Sequence, residues 1–259
     1  MTHQGQTGIT FQSGGLRLLG TLFMARGDEP KPTAIILHGI PGIEKNYGLA
    51  YNLRDHGWNA LIFHYRGCWG SHGNYNIPSI PDDVRAAMDE LTNGKYSIVD
   101  AKKIVLIGHS LGGWAAVLAG AADPRPRAVA VIGAVTDPRK FPLHDPNRAR
   151  FYTPWLTHIT PDELAQQWIS LDDQLSPIKQ VSKLSPRPLL ILHSEADEEV
   201  SVEHARLLYA YAEEPKQIAL HSEANHAFIW HRTWLKEHLR EWLDHVALEE
   251  KTIPTRKRS

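Results

Sequence analysis

One serine lies where the sequence could build a nucleophile. Ser110 is at the centre of the pentapeptide Gly-His-Ser-Leu-Gly, residues 108–112, between a strand-like apolar run (residues 103–107) and a helix-like segment (residues 111–122). A serine on a sharp turn from strand to helix is lifted clear of the sheet, and neighbouring glycines give the strained backbone room. A helix-capping serine beside ordinary glycines is the plainer alternative. The flanking strand and helix favour the nucleophile.

Serine is a weak nucleophile at neutral pH, so it needs a base to take its proton and an acid to orient that base. In proteins with a nucleophilic serine on such a strand-to-helix turn, the acid follows a later strand. Asp197 comes after the apolar run at residues 189–193, in a turn that also contains Glu195, Glu198 and Glu199. We expect Asp197 to orient the base and the three glutamates to cap a helix or face solvent. A capping or solvated role for Asp197 is the alternative.

Three histidines lie near the last predicted strand, residues 217–220. His221 ends that strand, and His231 begins the final amphipathic helix. His226 lies between them, in the polar loop at residues 223–228, where the base of such a site is expected. The chain has 15 histidines, so position rather than residue type makes His226 the predicted base.

A tetrahedral oxyanion needs backbone donors. One is the N–H of the residue after the nucleophile, Leu111. The second should come from the loop at residues 38–42, which follows the predicted strand at residues 33–37 and whose glycines allow N–H groups to face a substrate. We predict the Ile40 N–H as that donor. An ordinary turn from strand to helix is the alternative for this loop.

The elements that must position these residues alternate along the chain. Strand-like apolar runs lie at residues 33–37, 60–65, 103–107, 128–135 and 188–193, and helix-like segments lie at 47–56, 81–93, 111–122, 202–212 and 233–246. Runs that are apolar throughout indicate strands covered on both faces. The pattern predicts one α/β domain over residues 1–259, with a doubly wound, mostly parallel sheet and helices on both faces.

Residues 137–182 interrupt the alternation with prolines and aromatic residues. We predict a small helical cap insertion there, with one helix beginning at Pro161 and capped by Thr160. Aromatic residues in or near the cap could line a substrate pocket or pack in the core: Trp69, Trp114, Tyr152, Trp155 and Trp168. The basic segment at 251–259 is expected to be a flexible, solvated tail, with anion binding as the alternative.

Composition excludes several classes of protein. The 28 Lys and Arg residues nearly balance 29 Asp and Glu, so no global field favours nucleic acid or an acidic membrane. A single cysteine, Cys68, excludes an internal disulfide framework and a cysteine-rich zinc site. Neither a dinucleotide-binding glycine motif nor a His-Glu-x-x-His motif is present. We expect no metal or cofactor, a small-molecule partner, and, without a signal-like start or long apolar run, a cytoplasmic location.

The chain resembles the α/β-hydrolase superfamily, in particular small bacterial serine esterases of the dienelactone-hydrolase-like and prolyl-oligopeptidase-like branches. The resemblance is carried by residues 38–42, 64–71 and 108–113, by Asp197 with Val200, and by residues 225–226. It implies a Ser-His-Asp esterase in which Ser110 forms an acyl-enzyme, His226 moves the proton and Asp197 orients His226. Dienelactone hydrolases have cysteine where Ser110 lies, and prolyl oligopeptidases carry a propeller domain for which this chain is too short.

The expected function is hydrolysis of short to medium acyl or aryl esters through an acyl-enzyme. The same triad could pass the acyl group to an alcohol, amine or peroxide, or cleave peptide-like substrates. A non-catalytic ligand-binding protein with the same fold is the alternative from another class.

Overall fold

The computed structural model describes residues 4–248, which form an eight-stranded sheet in the order β1-β2-β4-β3-β5-β6-β7-β8. The strands are β1 (Gly5–Ser13), β2 (Leu16–Met24), β3 (Lys31–Leu37), β4 (Asn59–His64), β5 (Val99–His109), β6 (Ala128–Ile132), β7 (Leu189–Ser194) and β8 (Lys216–His221). The α-helices are α1 (Tyr47–Asp55), α2 (Ile80–Thr92), α3 (Leu111–Ala122), α4 (Pro146–Ala149), α5 (Pro161–Ile169), α6 (Pro177–Gln180), α7 (Glu203–Tyr211) and α8 (Arg232–Leu248).

The strands from β4 to β8 in this order are parallel, as predicted from their apolar runs. The strands β3, β4, β6 and β7 are buried on both faces because alternate side chains enter different helix layers, whereas the edge strand β8 is only partly covered. In β3, Ala34 and Ile36 belong to the core beneath α1 and α8, whereas Ile35 and Leu37 belong to the core beneath α2, α3 and α7. The predicted doubly wound α/β architecture is confirmed.

The antiparallel hairpin of β1 and β2 was not among the predicted strands. Its turn is Gly14-Gly15, with φ of 55° and 80°, a backbone suited to a two-residue hairpin turn. The signal was present as alternation, because Ile9 and Phe11 are buried while their neighbours face solvent. The hairpin joins the parallel strands through the antiparallel pairing of β2 with β4.

Between β6 and β7 the chain forms the short helices α4, α5 and α6 with single 3₁₀ turns. We call residues 137–182 the cap segment. The predicted start of α5 is confirmed: the Glu163 N–H donates to the Thr160 hydroxyl at 3.2 Å, and the Thr160 N–H donates to the Glu163 carboxylate at 2.8 Å.

No helix within residues 4–248 has the length and apolar character required to span a bilayer. The predicted basic tail, residues 251–259, lies outside the described residues.

Candidate active site

Ser110 lies on a strained turn between β5 and α3. Its φ is 58° and its ψ is −122°, a backbone that side-chain-bearing residues rarely adopt. The turn is held from both sides, since the Ser110 N–H donates to the Ile132 carbonyl at 2.9 Å and the Ser110 carbonyl accepts from Gly113 at the same distance. The backbone strain expected of a nucleophile at the end of a strand is therefore present.

The neighbouring glycines leave no room for side chains. A Cβ at Gly108 would lie 2.1 Å from the Gly112 carbonyl oxygen, and a Cβ at Gly112 would lie 2.1 Å from the Leu37 carbonyl oxygen. These contacts are with backbone atoms, which cannot rotate away as a side chain could. The spacing of glycines around Ser110 is thus required by close packing of β3, β5 and α3.

Asp197 and His226 are hydrogen-bonded to each other. The His226 Nδ1 donates to the Asp197 Oδ2 at 2.7 Å, and the other carboxylate oxygen accepts from the backbone N–H groups of Glu199 and Val200, each at 2.9 Å. Burial alone would raise the Asp197 pKa, but the His226 hydrogen bond and charge and the Val200 N–H lower it overall. The carboxylate therefore stays ionised and fixes the tautomer of His226, leaving Nε2 as its free base.

Close backbone packing also shapes the space around this pair. Gly133, which follows β6 with a φ of 52°, would carry a Cβ only 3.2 Å from the His226 ring and 3.3 Å from the Asp197 carboxylate. A glycine here lets the two side chains lie against the end of the sheet.

Ser110 and His226 face one open cavity of about 930 Å³. Its wall combines the end of the sheet, the cap segment and the loops after β7 and β8. The remaining lining residues are Ile40, Phe141, Pro142, Asp145, Asn147, Arg148, Phe151, Tyr152, Glu198, Glu199, Val200, Asn225 and Ala227. The cavity is large enough for a small ester of several carbon atoms.

The loop after β3 lies directly against Ser110. A Cβ at Gly39 would be 2.8 Å from the Ser110 Cβ, and Ile40 lines the cavity beside it. The Tyr65 hydroxyl holds this loop by donating to the His38 carbonyl at 3.0 Å. Among residues 4–248, neither the Ile40 nor the Leu111 N–H donates a hydrogen bond to another group of the chain. Both predicted oxyanion donors are therefore free to donate to a ligand oxygen.

The five aromatic residues considered for the pocket have different positions. Tyr152 lines the cavity. Trp114 and Trp168 do not line it, because both are buried in the core. The Trp114 indole N–H donates to the Leu175 carbonyl, and the Trp168 indole N–H donates to backbone carbonyls of the cap segment. Trp69 and Trp155 stack at 5.8 Å on each other outside the cavity lining.

Residues that were not predicted to line a pocket supply the rest of the cavity wall. Phe141 and Phe151 give it aromatic surface, and Arg148 donates to the Glu199 carboxylate at 2.8 Å across its mouth. Glu198 and Glu199, expected to be capping or solvated acids, both line the cavity. Their adjacency to Asp197 was the available signal for the two glutamates. For Phe141, Arg148 and Phe151 of the cap segment, only the packing in the structure shows that they line the cavity.

The other two histidines near β8 lie elsewhere. The His221 ring accepts from the N–H groups of Glu223 and Ala224 at 3.1 Å and contacts the His231 ring, 4.2 Å between centroids. Within residues 4–248, no group of three or more His, Cys, Asp or Glu side chains is arranged to hold a metal ion.

Comparison with known proteins agrees with this architecture. Residues 34–252 match the model of the alpha/beta hydrolase family. The chain belongs to this family.

Among curated proteins, the chain is similar to "Uncharacterized protein YfhR" of Salmonella typhimurium, at 28% identity over 207 residues that cover 78% of this chain. The match spans 66% of that relative's length.

Two solved structures superpose on most of this chain. The esterase domain of a Rhodothermus marinus protein superposes with a TM-score of 0.69 and 25% identity, covering 93% of this chain and 98% of that one. Est1E of Butyrivibrio proteoclasticus, solved with ferulic acid bound, superposes with a TM-score of 0.73 and 19% identity, covering 92% and 99%. At its identity, Est1E shows the shared fold alone.

Proposed function

We propose that this chain is a serine ester hydrolase that works through an acyl-enzyme on Ser110. The observation that carries the proposal is the strained Ser110 turn in a cavity shared with His226, whose Nδ1–H is held by Asp197 at 2.7 Å. A serine that lines a cavity, a base and an orienting carboxylate in this arrangement are what acyl transfer requires.

In the first half of the proposed reaction, His226 Nε2 takes the proton from the Ser110 hydroxyl as Oγ attacks the ester carbonyl carbon. The oxyanion that forms accepts hydrogen bonds from the Leu111 and Ile40 N–H groups. Collapse of the tetrahedral intermediate breaks the bond to the alcohol, which receives the proton from His226, and leaves an acyl ester on Ser110.

In the second half, His226 takes a proton from water, and the hydroxide oxygen attacks the acyl carbon. Collapse releases the carboxylic acid and returns the proton to Ser110. Asp197 stays ionised throughout and stabilises the imidazolium that forms in each half. No step requires a group beyond the chain, the ester and water.

The proposed substrates are short to medium acyl or aryl esters. Phe141, Phe151 and Tyr152 supply flat apolar surface beside Ser110, and Val200 adds aliphatic surface. Aromatic side chains pack well against an aryl ring or a short alkyl chain. Est1E was solved with an aromatic acid, ferulic acid, which supports including aryl esters in the test.

The test measures hydrolysis of p-nitrophenyl esters of increasing chain length and of an aryl carboxylate, with and without a fluorophosphonate probe. We expect turnover, inhibition by the probe, and a labelled peptide that contains Ser110. Ser110→Ala should abolish both turnover and labelling. Ser176→Ala is the matched control, because Ser176 is equally buried, 6% exposed, and its side chain makes no capping hydrogen bond.

Two outcomes contradict the proposal. Absence of turnover and of label would favour a ligand-binding protein, and a label on another serine would refute the site.

Reactions with added alcohol or peroxide then test which molecule accepts the acyl group. If the reaction formed more new ester or peracid than free carboxylic acid at a low concentration of the acceptor, the proposed reaction would be acyl transfer instead of hydrolysis.

A further inference from the structure

A second histidine, His109, is hydrogen-bonded to the proposed base. Its Nε2 lies 2.9 Å from the backbone carbonyl oxygen of His226. A carbonyl oxygen only accepts, so the hydrogen is on Nε2 and His109 is the donor. The two imidazole rings also lie against each other, with centroids 4.7 Å apart and planes inclined by 34°. His109 does not line the cavity, so it does not contact a substrate bound there.

His109 is held in one protonation state. It is 6% exposed, and burial lowers its pKa to about 3, with His226, Arg232 and Asp197 around it. Its other nitrogen, Nδ1, is buried without a hydrogen-bond partner among residues 4–248. A neutral ring places no positive charge beside the imidazolium that His226 becomes during acylation.

The position of His109 in the chain links it to the nucleophile. It is the last residue of β5, paired with Ile132 of β6, and it immediately precedes Ser110. One rigid strand end therefore carries both the serine and the hydrogen bond to the base. Two adjacent residues therefore position the nucleophile, through Ser110 itself, and the base, through the hydrogen bond from His109 to His226.

Other contacts fix the ends of the loop that carries His226. The Ser194 hydroxyl donates to the Ala224 carbonyl before it, and the buried Phe228 stacks on Trp234 after it, 5.8 Å between centroids. The bond from His109 acts on the backbone of His226 itself. Its loss would free the middle of the loop while the ends stayed attached.

We propose that His109 is a positioning residue, whose hydrogen bond to the His226 carbonyl sets the separation between the His226 ring and the Ser110 hydroxyl. This rests on the proposed function, because it assigns a task within that reaction. Small displacements of a general base are costly, since about 1 Å of misplacement can lower a rate on the order of 100-fold.

The test compares two variants at this position. His109→Leu fills the space without a donor, whereas His109→Gln keeps an N–H that can reach the same carbonyl. We expect His109→Leu to lower kcat by about 10- to 100-fold with KM within about twofold of wild type. His109→Gln should recover most of the lost kcat. His204→Gln is a control for a buried histidine outside the site, 2% exposed, and should keep wild-type kcat.

Equal losses of kcat in the leucine and glutamine variants would show a packing role and overturn the proposal. Wild-type kcat in His109→Leu would overturn it as well.

A second measurement does not depend on activity. The His226 Nδ1 proton, hydrogen-bonded to Asp197, should give a downfield ¹H signal only while the ring stays in place. We expect the signal to be lost or broadened in His109→Leu and kept in His109→Gln. An unchanged signal in His109→Leu would refute the inference. Failure of the proposed function would appear separately, as wild-type protein with neither turnover nor label on Ser110.

Discussion

Acid should destabilise this protein at a pH where most carboxylates are still ionised, because buried histidines, among them His38 and His109, resist protonation. His38 and His109 are 1% and 6% exposed, and burial lowers the pKa of each from 6.5 to about 3. The unfolded chain binds these protons first as the pH falls. The stability that neutral burial contributes is therefore complete above about pH 6.5 and is lost progressively toward pH 3.

The magnitude follows from the size of these shifts. Between pH 7.5 and pH 5, the free energy of unfolding should fall by about 2 kcal/mol for each of the two histidines. The loss from these two rings alone, about 4 kcal/mol, is a large fraction of the 5–15 kcal/mol typical of folded domains. The measurement is urea unfolding at several pH values, followed by tryptophan fluorescence.

A variant isolates the contribution of one ring. His109→Gln removes the titrating group, so its fall in unfolding free energy between pH 7.5 and pH 5 should be about 2 kcal/mol smaller than that of wild type. Ser176→Ala, which changes an equally buried side chain without a titrating group, should keep the wild-type pH dependence. If wild type and His109→Gln lost the same free energy, the assignment of this pH dependence to buried neutral His109 would be wrong.

Three further predictions concern the turn, the triad and the cavity mouth. Gly112→Ala should lower the free energy of unfolding by about 3 kcal/mol or more, because its Cβ would lie 2.1 Å from a backbone carbonyl oxygen; Gly48→Ala, with open space around it, should change it by less than about 1 kcal/mol in urea unfolding. Asp197→Asn should lower kcat for a p-nitrophenyl ester on the order of 10³- to 10⁴-fold through loss of the correct tautomer, and a loss under tenfold would contradict the proposed role. Arg148→Gln and Glu199→Gln each break a partly exposed ion pair, so each should lower the free energy of unfolding by under about 1 kcal/mol. Each variant should also change KM for a p-nitrophenyl ester more than kcat. A change in kcat alone would contradict the placement of the two residues at the mouth of the cavity.

Much of the parallel sheet could be predicted from the sequence because fully apolar strands have a local signature. Short runs of β-branched residues predict β3 and β5, and the small residues that follow Ser110 predict α3. The first hairpin was missed because β1 alternates between buried and exposed residues and begins in a polar segment. Ile9 and Phe11 alone carry that signal in β1.

The aromatic lining of the cavity was less predictable, since residue type does not say which way a side chain packs. Trp168 and Phe141 are both buried aromatic residues of the cap segment, 5.7 Å apart, yet only Phe141 also reaches the cavity. Trp168 instead donates its indole N–H to backbone carbonyls within the cap. Such choices depend on partners that are distant in the chain.

The sequence by itself determined the turn at Ser110, because glycines at residues 108, 112 and 113 are needed within a single strand, turn and helix. It also determined that an aspartate and a histidine follow later strands. The tertiary structure alone decided that Asp197 and His226, 29 residues apart, meet at 2.7 Å, and that His109 contacts His226 across 117 residues. The physical reason is the register of the parallel strands, which brings the ends of β5, β7 and β8 to one edge of the sheet.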